Sequence, residues 1–132
     1  MVEKIEKTDA EWQAQMSAEQ FHVTRQKGTE QAFAGVYNDN KKAGTYECSC
    51  CGQALFGSDD KFDSGTGWPS YTRPVAEEAV ATENDGTYGM VRTEAMCSAC
   101  DAHLGHIFPD GPAPTGLRYC INSLSLKFKE RE

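Results

Sequence analysis

The polar and apolar positions of the first 28 residues predict two short helices. Thr8 and Ser17 carry side-chain hydroxyls, and each is followed three residues later by a residue able to complete a capping box, Glu11 and Gln20 respectively. The helical pattern ends by Gly28, and from there the chain changes to short apolar stretches separated by Gly-rich and Pro-rich turns. We therefore expect the helices to be confined to the N-terminus.

The remainder of the chain reads as short strands and turns. Apolar and β-branched residues predict four strands, at residues 46–48, 54–56, 89–93 and 124–128. Residues rich in Gly and Pro predict turns or loops at 63–70, 84–86 and 109–116. The pattern contains no internal repeat and no interdomain linker. It predicts one mainly β (α+β) domain over residues 1–132 with short N-terminal helices.

Length and charge limit the classes of partner. The 132 residues contain no apolar run long enough to span a bilayer, and the charged N-terminus lacks the apolar stretch of a signal peptide. We therefore expect a cytoplasmic protein with reduced thiols. The net charge of −7 disfavours binding to nucleic acid and to anionic membrane surfaces.

Four of the six cysteines form two Cys-x-x-Cys pairs, Cys48 with Cys51 and Cys97 with Cys100. Two such pairs supply the four thiolates of a tetrahedral zinc site, and we expect one Zn²⁺ per chain. A shell of four cysteines has no open position for water, so this metal would be structural. Two disulfides, four buried free thiols or an iron ion are the alternatives.

The two other cysteines, Cys50 and Cys120, need a separate explanation. Arg118 stands two residues before Cys120, and a neighbouring cation lowers a thiol pKa, as a nucleophilic cysteine requires. His103 and His106 follow directly on the second Cys-x-x-Cys pair, which would fix their position. Taken alone, Cys120 would more readily be a small buried apolar residue than a nucleophile. Its place just before a predicted strand, with these polar neighbours, favours a nucleophilic role for the Cys120 thiol.

The motifs together resemble the B-type methionine-R-sulfoxide reductases. The segments that carry the resemblance are residues 48–56, 61–70, 97–112 and 116–123. It extends from about Phe21 to Phe128, which would make residues 21–128 the catalytic core and residues 1–20 an N-terminal extension. The resemblance implies two antiparallel β-sheets arranged like a tent, with the helices outside and the four-cysteine zinc site far from the reaction centre. It also implies reduction of methionine-R-sulfoxide, free or in proteins, to methionine.

The resemblance assigns roles to individual residues. Cys120 would be the nucleophile, and Arg118, oriented by Asp110, would favour its thiolate. The residues that would bind and protonate the sulfoxide oxygen are His103, His106 and Asn122. The residues that would form the apolar wall for the substrate methyl group are Trp68 and Phe108. A thiolate that attacks a sulfoxide needs such an acid, because the oxygen is a poor leaving group unless it is protonated.

The resemblance further implies a sulfenic acid on Cys120 that thioredoxin or another thiol reduces. Many family members have a second cysteine where this chain has Thr66, and a threonine cannot form a disulfide. Either Cys50, expected to be exposed, or an external thiol would then resolve the sulfenic acid. We expect the protein to be a monomer.

Two other functions use part of the same residues. A zinc-ribbon binding module needs the two Cys-x-x-Cys pairs but neither Cys120 nor the histidines, and the net charge of −7 argues against a nucleic-acid partner. A Cys–His hydrolase would form an acyl-enzyme at Cys120 and consume no reductant.

Overall fold

Two helices open the structure, a computed structural model that describes residues 4–85 and 92–131. They are α1 (Asp9–Gln15) and α2 (Ala18–Arg25), and each begins with a complete capping box. The Glu11 amide donates to the Thr8 hydroxyl at 3.2 Å, and the Thr8 amide donates to the Glu11 carboxylate at 3.0 Å. Ser17 and Gln20 make the same reciprocal pair. Both predicted helix starts are confirmed.

Within residues 4–85 and 92–131, nine strands form two antiparallel sheets, which confirms the predicted fold class. The three-stranded sheet has the order β2-β1-β9, with β1 at Gly44–Cys48, β2 at Ala54–Gly57 and β9 at Leu126–Glu130. The six-stranded sheet has the order β3-β4-β8-β7-β6-β5. Its strands are β3 (Lys61–Phe62), β4 (Ser70–Tyr71), β5 (Val80–Asp85), β6 (Arg92–Cys97), β7 (His103–Phe108) and β8 (Arg118–Ile121).

Several predicted boundaries differ from the structure. The last strand begins at Leu126, because Ser123–Ser125 forms a 3₁₀ turn before it. The turn expected at residues 84–86 is wrong at its first two positions, since Asn84 and Asp85 continue β5 in register with β6. Gly86 lies outside the described residues, as do residues 89–91 of the strand predicted at 89–93.

An aromatic cluster joins the two sheets. Tyr46 of β1 and Tyr71 of β4 are fully buried, with their ring centroids 5.4 Å apart. Phe56 of β2 stacks on Tyr71 at 4.4 Å. Large aromatic side chains such as these provide most of the apolar area that a small domain can bury. The cluster therefore fixes how one sheet lies against the other.

The N-terminal segment packs on the Cys-x-x-Cys turns. The Ile5 amide donates to the Ala99 carbonyl at 2.7 Å, and the Gln15 side chain donates to the Cys50 carbonyl at 2.8 Å. From α2, Arg25 donates to the Cys100 carbonyl at 2.6 Å. Among the residues described, no helix has the length and apolar character needed to cross a membrane.

Candidate active site and metal centre

The four cysteines of the two Cys-x-x-Cys turns form one cluster, with their sulfur atoms all within 4.8 Å of one another. The Sγ atoms of Cys48 and Cys100 are 3.6 Å apart, and those of Cys51 and Cys97 are also 3.6 Å apart. A tetrahedral zinc ion with bonds of about 2.3 Å separates its sulfur ligands by about 3.8 Å. The cluster therefore fits a tetrahedral metal ion such as zinc.

Cys50 is buried beside this cluster, with only 7% of its surface exposed. Its thiol interacts with the thiols of Cys48 and Cys100 and with the hydroxyl of Thr24 on α2. The expectation that Cys50 is exposed is therefore wrong. The reason is that α1 and α2 pack over the turn that carries it, a contact between distant parts of the chain that spacing alone does not reveal.

Cys120 lies within β8, near the middle of the six-stranded sheet, and not before a strand as the pattern predicted. Cross-strand pairing places Ser70 of β4 opposite Cys120 on one side and His106 of β7 opposite it on the other. Directly paired residues on adjacent strands point to the same face of a sheet. The thiol and the His106 imidazole therefore emerge side by side.

An irregularity in β7 brings both histidines to this face. In a regular strand, residues three positions apart point to opposite faces. Between β6 and β7, however, Ala95 pairs with Gly105 while the next residue, Met96, pairs with His103, so one extra residue interrupts the register. A bulge of this kind redirects side chains. The rings of His103 and His106 consequently meet edge to face, with centroids 5.4 Å apart.

His103 is buried and held by a carboxylate. Its Nδ1 is 2.7 Å from Glu94 Oε2, and the other oxygen of Glu94 is 3.2 Å from Lys27 Nζ. Because a carboxylate only accepts, Nδ1 carries the proton, and Nε2 is the ring nitrogen left for the site. Nε2 is buried and has no hydrogen-bond partner within residues 4–85 and 92–131. Burial lowers the pKa of His103, whereas the hydrogen bond and charge of Glu94 raise it.

A small cavity of about 100 Å³ lies over Cys120. Its walls combine aromatic rings with polar groups and are formed by Thr29, Trp68, Gly105, His106, Phe108, Cys120 and Asn122. Five of the residues that the sequence pointed to therefore share one cavity. The arrangement offers a thiol and an imidazole beside apolar walls.

Arg118 and Asp110 form an ion pair at one side of this cavity. Two guanidinium nitrogens of Arg118 donate to the two carboxylate oxygens of Asp110, at 2.9 and 3.2 Å. The guanidinium also lies 4.5 Å from the centre of the Phe108 ring. Burial raises the pKa of the Cys120 thiol, while the charge of Arg118 and the hydroxyl of Thr66 lower it. The cation thus partly offsets the cost of forming a buried thiolate.

Glu30 connects two of the cavity walls through its backbone. Its carbonyl accepts from the Trp68 indole at 3.0 Å, and its amide donates to the Asn122 side-chain oxygen at 3.1 Å. Asn122 in turn donates to the Leu104 carbonyl at 3.0 Å. The Glu30 carboxylate accepts from the Leu124 amide at 2.9 Å. These bonds fix the orientations of the indole and of the Asn122 amide.

Similarity to known proteins identifies the family to which this chain belongs. The SelR domain model matches residues 16–130 of the chain. Among the similar curated proteins is a peptide methionine sulfoxide reductase MsrB of Pseudomonas putida (strain W619), 56% identical over 131 residues, which cover 99% of this chain and 98% of the relative. The protein of the same name from Acinetobacter baumannii (strain AYE) is 57% identical over 129 residues, covering 98% of this chain and 93% of the relative.

The chain belongs to the SelR family. The structure of this SelR chain brings Cys120 and His106 together in one cavity, with His103, Arg118 and Asp110 next to it. Sequence reasoning missed Glu94 and Glu30 because nothing in one sequence separates a buried acidic residue from the many exposed ones. Glu94 lies opposite His106 on the neighbouring strand, and this position would have pointed to Glu94 only once the strand pairing was known.

Proposed function

We propose that this SelR chain reduces methionine-R-sulfoxide, free or within proteins, to methionine, with Cys120 as the nucleophile. The observation that carries the proposal is the cross-strand pair of Cys120 and His106 beneath Trp68 and Phe108. The relatives named above supply the substrate class. A binding module without catalysis has no need of this pair, and the pair is the reason that we prefer an enzyme.

In the first step the Cys120 thiolate attacks the sulfoxide. The sulfoxide S–O bond breaks and the oxygen ends on Cys120, so methionine is the reduced product and Cys120 becomes a sulfenic acid. The paired histidines His103 and His106 supply the proton that the departing oxygen needs, and Asn122 binds that oxygen. Trp68 and Phe108 contact the substrate methyl group. Arg118, paired with Asp110, stabilises the Cys120 thiolate before the attack.

A second thiol then condenses with the sulfenic acid, releasing water and forming a disulfide, which a dithiol such as thioredoxin reduces by exchange. Thr66 supplies a hydroxyl beside Cys120 and no thiol. Cys97 belongs to the cysteine cluster that lies next to Cys50. In the sheet it is two strands away from Cys120 and three residues further along, which in an ordinary sheet separates the Cα atoms of Cys97 and Cys120 by roughly 14 Å. A disulfide needs Cα atoms within about 7 Å. We therefore propose that an external thiol is the resolving group.

Cys50 as the resolving thiol stays a prediction, and its burial weighs against it. With an external thiol, Cys50→Ser should retain most of the thioredoxin-supported turnover and all of the turnover supported by dithiothreitol. If Cys50→Ser lost its turnover with thioredoxin but kept its turnover with dithiothreitol, Cys50 would be the resolving thiol. The measurement is methionine formed per minute with each reductant.

The metal centre supports the fold in this proposal. Cys48, Cys51, Cys97 and Cys100 would hold a zinc ion, which when bound cross-links the ends of β1 and β6. Because the proposed cycle needs reduced thiols and a thiol reductant, we place the protein in the cytoplasm. There it would repair oxidised proteins during oxidative stress. We expect it to act as a monomer of one domain.

The test is turnover of the separated R and S epimers of N-acetyl-methionine sulfoxide with dithiothreitol as reductant. We expect N-acetyl-methionine to form from the R epimer only, with consumption of an equal amount of dithiothreitol. A binding module would leave both epimers unchanged. A hydrolase would release acetate or another acyl product without using the reductant.

A further inference from the structure

The cavity over Cys120 is too small to enclose a peptide. Its volume of about 100 Å³ compares with roughly 300–1,000 Å³ for sites that bury most of a larger ligand. It can therefore receive the end of one methionine sulfoxide side chain. If the substrate is part of a polypeptide, the residues on either side of the sulfoxide must lie on the surface around the cavity.

The loop of residues 29–36 forms part of that surface. At one end, Thr29 lines the cavity itself. Further along, the Phe33 amide donates to the Gly67 carbonyl at 2.8 Å, immediately before Trp68. Phe33 has a positive φ of 66°, a conformation that bulky side chains rarely adopt. Such strained residues cluster at functional sites, and here the residue is exposed and hydrogen-bonded to the segment that leads into Trp68, a wall of the cavity.

The same loop exposes apolar side chains. Phe33 is 69% exposed and Val36 is 79% exposed. Within residues 4–85 and 92–131, only Ile5 and Val75 are other large apolar residues classed as exposed. Apolar residues that are grouped and exposed mark interaction sites more often than those that are scattered.

A groove of about 750 Å³ continues this surface between α2 and the loop. It begins at Thr29, which it shares with the cavity over Cys120, and it passes Val36. Its other apolar lining residues are Ala18, Val23, Ala34, Leu124 and Leu126, together with the aromatic Tyr37. The groove thus adjoins, at Thr29, the cavity that contains the reacting thiol, and apolar side chains line much of it.

We propose that the Phe33 ring, Val36 and this groove bind the polypeptide segment that flanks an oxidised methionine, and that apolar flanking residues are preferred. The inference rests on the proposed reductase function and adds where its polypeptide substrate lies. The groove also contains the carboxyl-bearing Glu19 and Glu30, and the chain carries a net charge of −7. Acidic flanking residues are therefore disfavoured.

The test compares two substrates on the same enzyme. One is a heptapeptide with a central methionine-R-sulfoxide flanked by leucines, and the other is N-acetyl-methionine-R-sulfoxide. In Phe33→Asn the ring is removed, while asparagine tolerates the positive φ. We expect the ratio of kcat/KM for the peptide to kcat/KM for the small substrate to fall about fivefold, mainly through KM, because apolar contact area is lost. Val36→Ser should lower the same ratio.

Val75→Asn is the matched control, since Val75 is also an exposed apolar residue but lies outside the loop of residues 29–36 and lines neither the cavity nor the groove. It should leave the ratio unchanged. An unchanged ratio in both Phe33→Asn and Val36→Ser, with the variants folded by circular dichroism, would overturn the inference while leaving the reductase function intact. Absence of turnover on both substrates by the unmodified protein would overturn the proposed function and this inference with it.

Discussion

At the scale of single residues, the site depends on how each reactive group is held. His103 is buried, and burial lowers its pKa, so less of the ring is in the protonated form that can donate. The Glu94 carboxylate at 2.7 Å opposes this effect and also fixes which ring nitrogen carries the proton. Arg118 acts in a similar way on Cys120, since it opposes the effect of burial on the thiol pKa. Both supporting groups hold a reactive residue without lining the cavity.

The first prediction concerns Glu94. Replacing it with glutamine removes the negative charge that raises the His103 pKa, so that pKa should fall further. A proton donor with a lower pKa is deprotonated at lower pH, and the alkaline limb of the kcat profile should therefore move to lower pH. We expect kcat at pH 7.5 to fall about tenfold, a part of what general acid catalysis provides.

The control for this prediction is Glu83→Gln. Glu83 pairs with Glu94 across the β5–β6 ladder but is exposed. Its removal should leave the pH profile of kcat in place. A profile that shifts equally in both variants would mean that overall charge, and not the contact with His103, sets the pKa.

At the scale of elements, prediction succeeded where the signal was local and failed where it was not. The helices at Asp9–Gln15 and Ala18–Arg25 were predictable because a capping box lies within four residues. Strands β7 and β8 were missed, although they carry His103, His106 and Cys120. They are held by pairing with distant strands, and β7 combines a glycine with two histidines, residues that do not favour strands strongly. The bulge that unites the histidines is likewise a property of the pairing.

The second prediction tests how closely β7 and β8 approach each other. A side chain at Gly105 would overlap the backbone carbonyl of Cys120. Because backbone atoms cannot move aside cheaply, Gly105→Ala should destabilise the fold by roughly 3 kcal/mol. Urea unfolding followed by circular dichroism measures this free energy.

Gly57→Ala is the comparison, because it adds the same methyl group to another strand. There the nearest atom is Val75 Cγ1 at 3.9 Å, an ordinary contact. The free energy of unfolding should change by less than about 0.5 kcal/mol. Equal losses in the two variants would contradict the close approach at Gly105.

At the scale of the whole molecule, the metal centre joins the two sheets, whereas the reacting thiol lies within one of them. The cysteine cluster ties the end of β1 in the three-stranded sheet to the end of β6 in the six-stranded sheet. The aromatic cluster joins the same sheets elsewhere. The paired spacing of the cysteines made the cluster predictable from the sequence, whereas the burial of Cys50 depends on how α1 and α2 pack over it.

The third prediction separates the four ligands from the fifth thiol. Purified protein should contain one zinc ion per chain by elemental analysis. Cys97→Ser should lose most of that metal and several kcal/mol of unfolding free energy, because structural zinc contributes on the order of 10 kcal/mol to such domains. Cys50→Ser, which removes a thiol from the same neighbourhood, should retain the ion. If Cys50→Ser lost the metal while Cys97→Ser retained it, the assigned ligand set would be contradicted.

The central claim is that Cys120 is oxidised as it reduces methionine-R-sulfoxide. The most direct measurement is a single turnover without reductant, followed by mass spectrometry of the protein and quantification of methionine. The account predicts about one methionine per chain from the R epimer, with a dimedone-reactive sulfenic acid at Cys120, and no methionine from Cys120→Ser. Methionine formation by Cys120→Ser, or an unmodified Cys120 after turnover by the native chain, would contradict it.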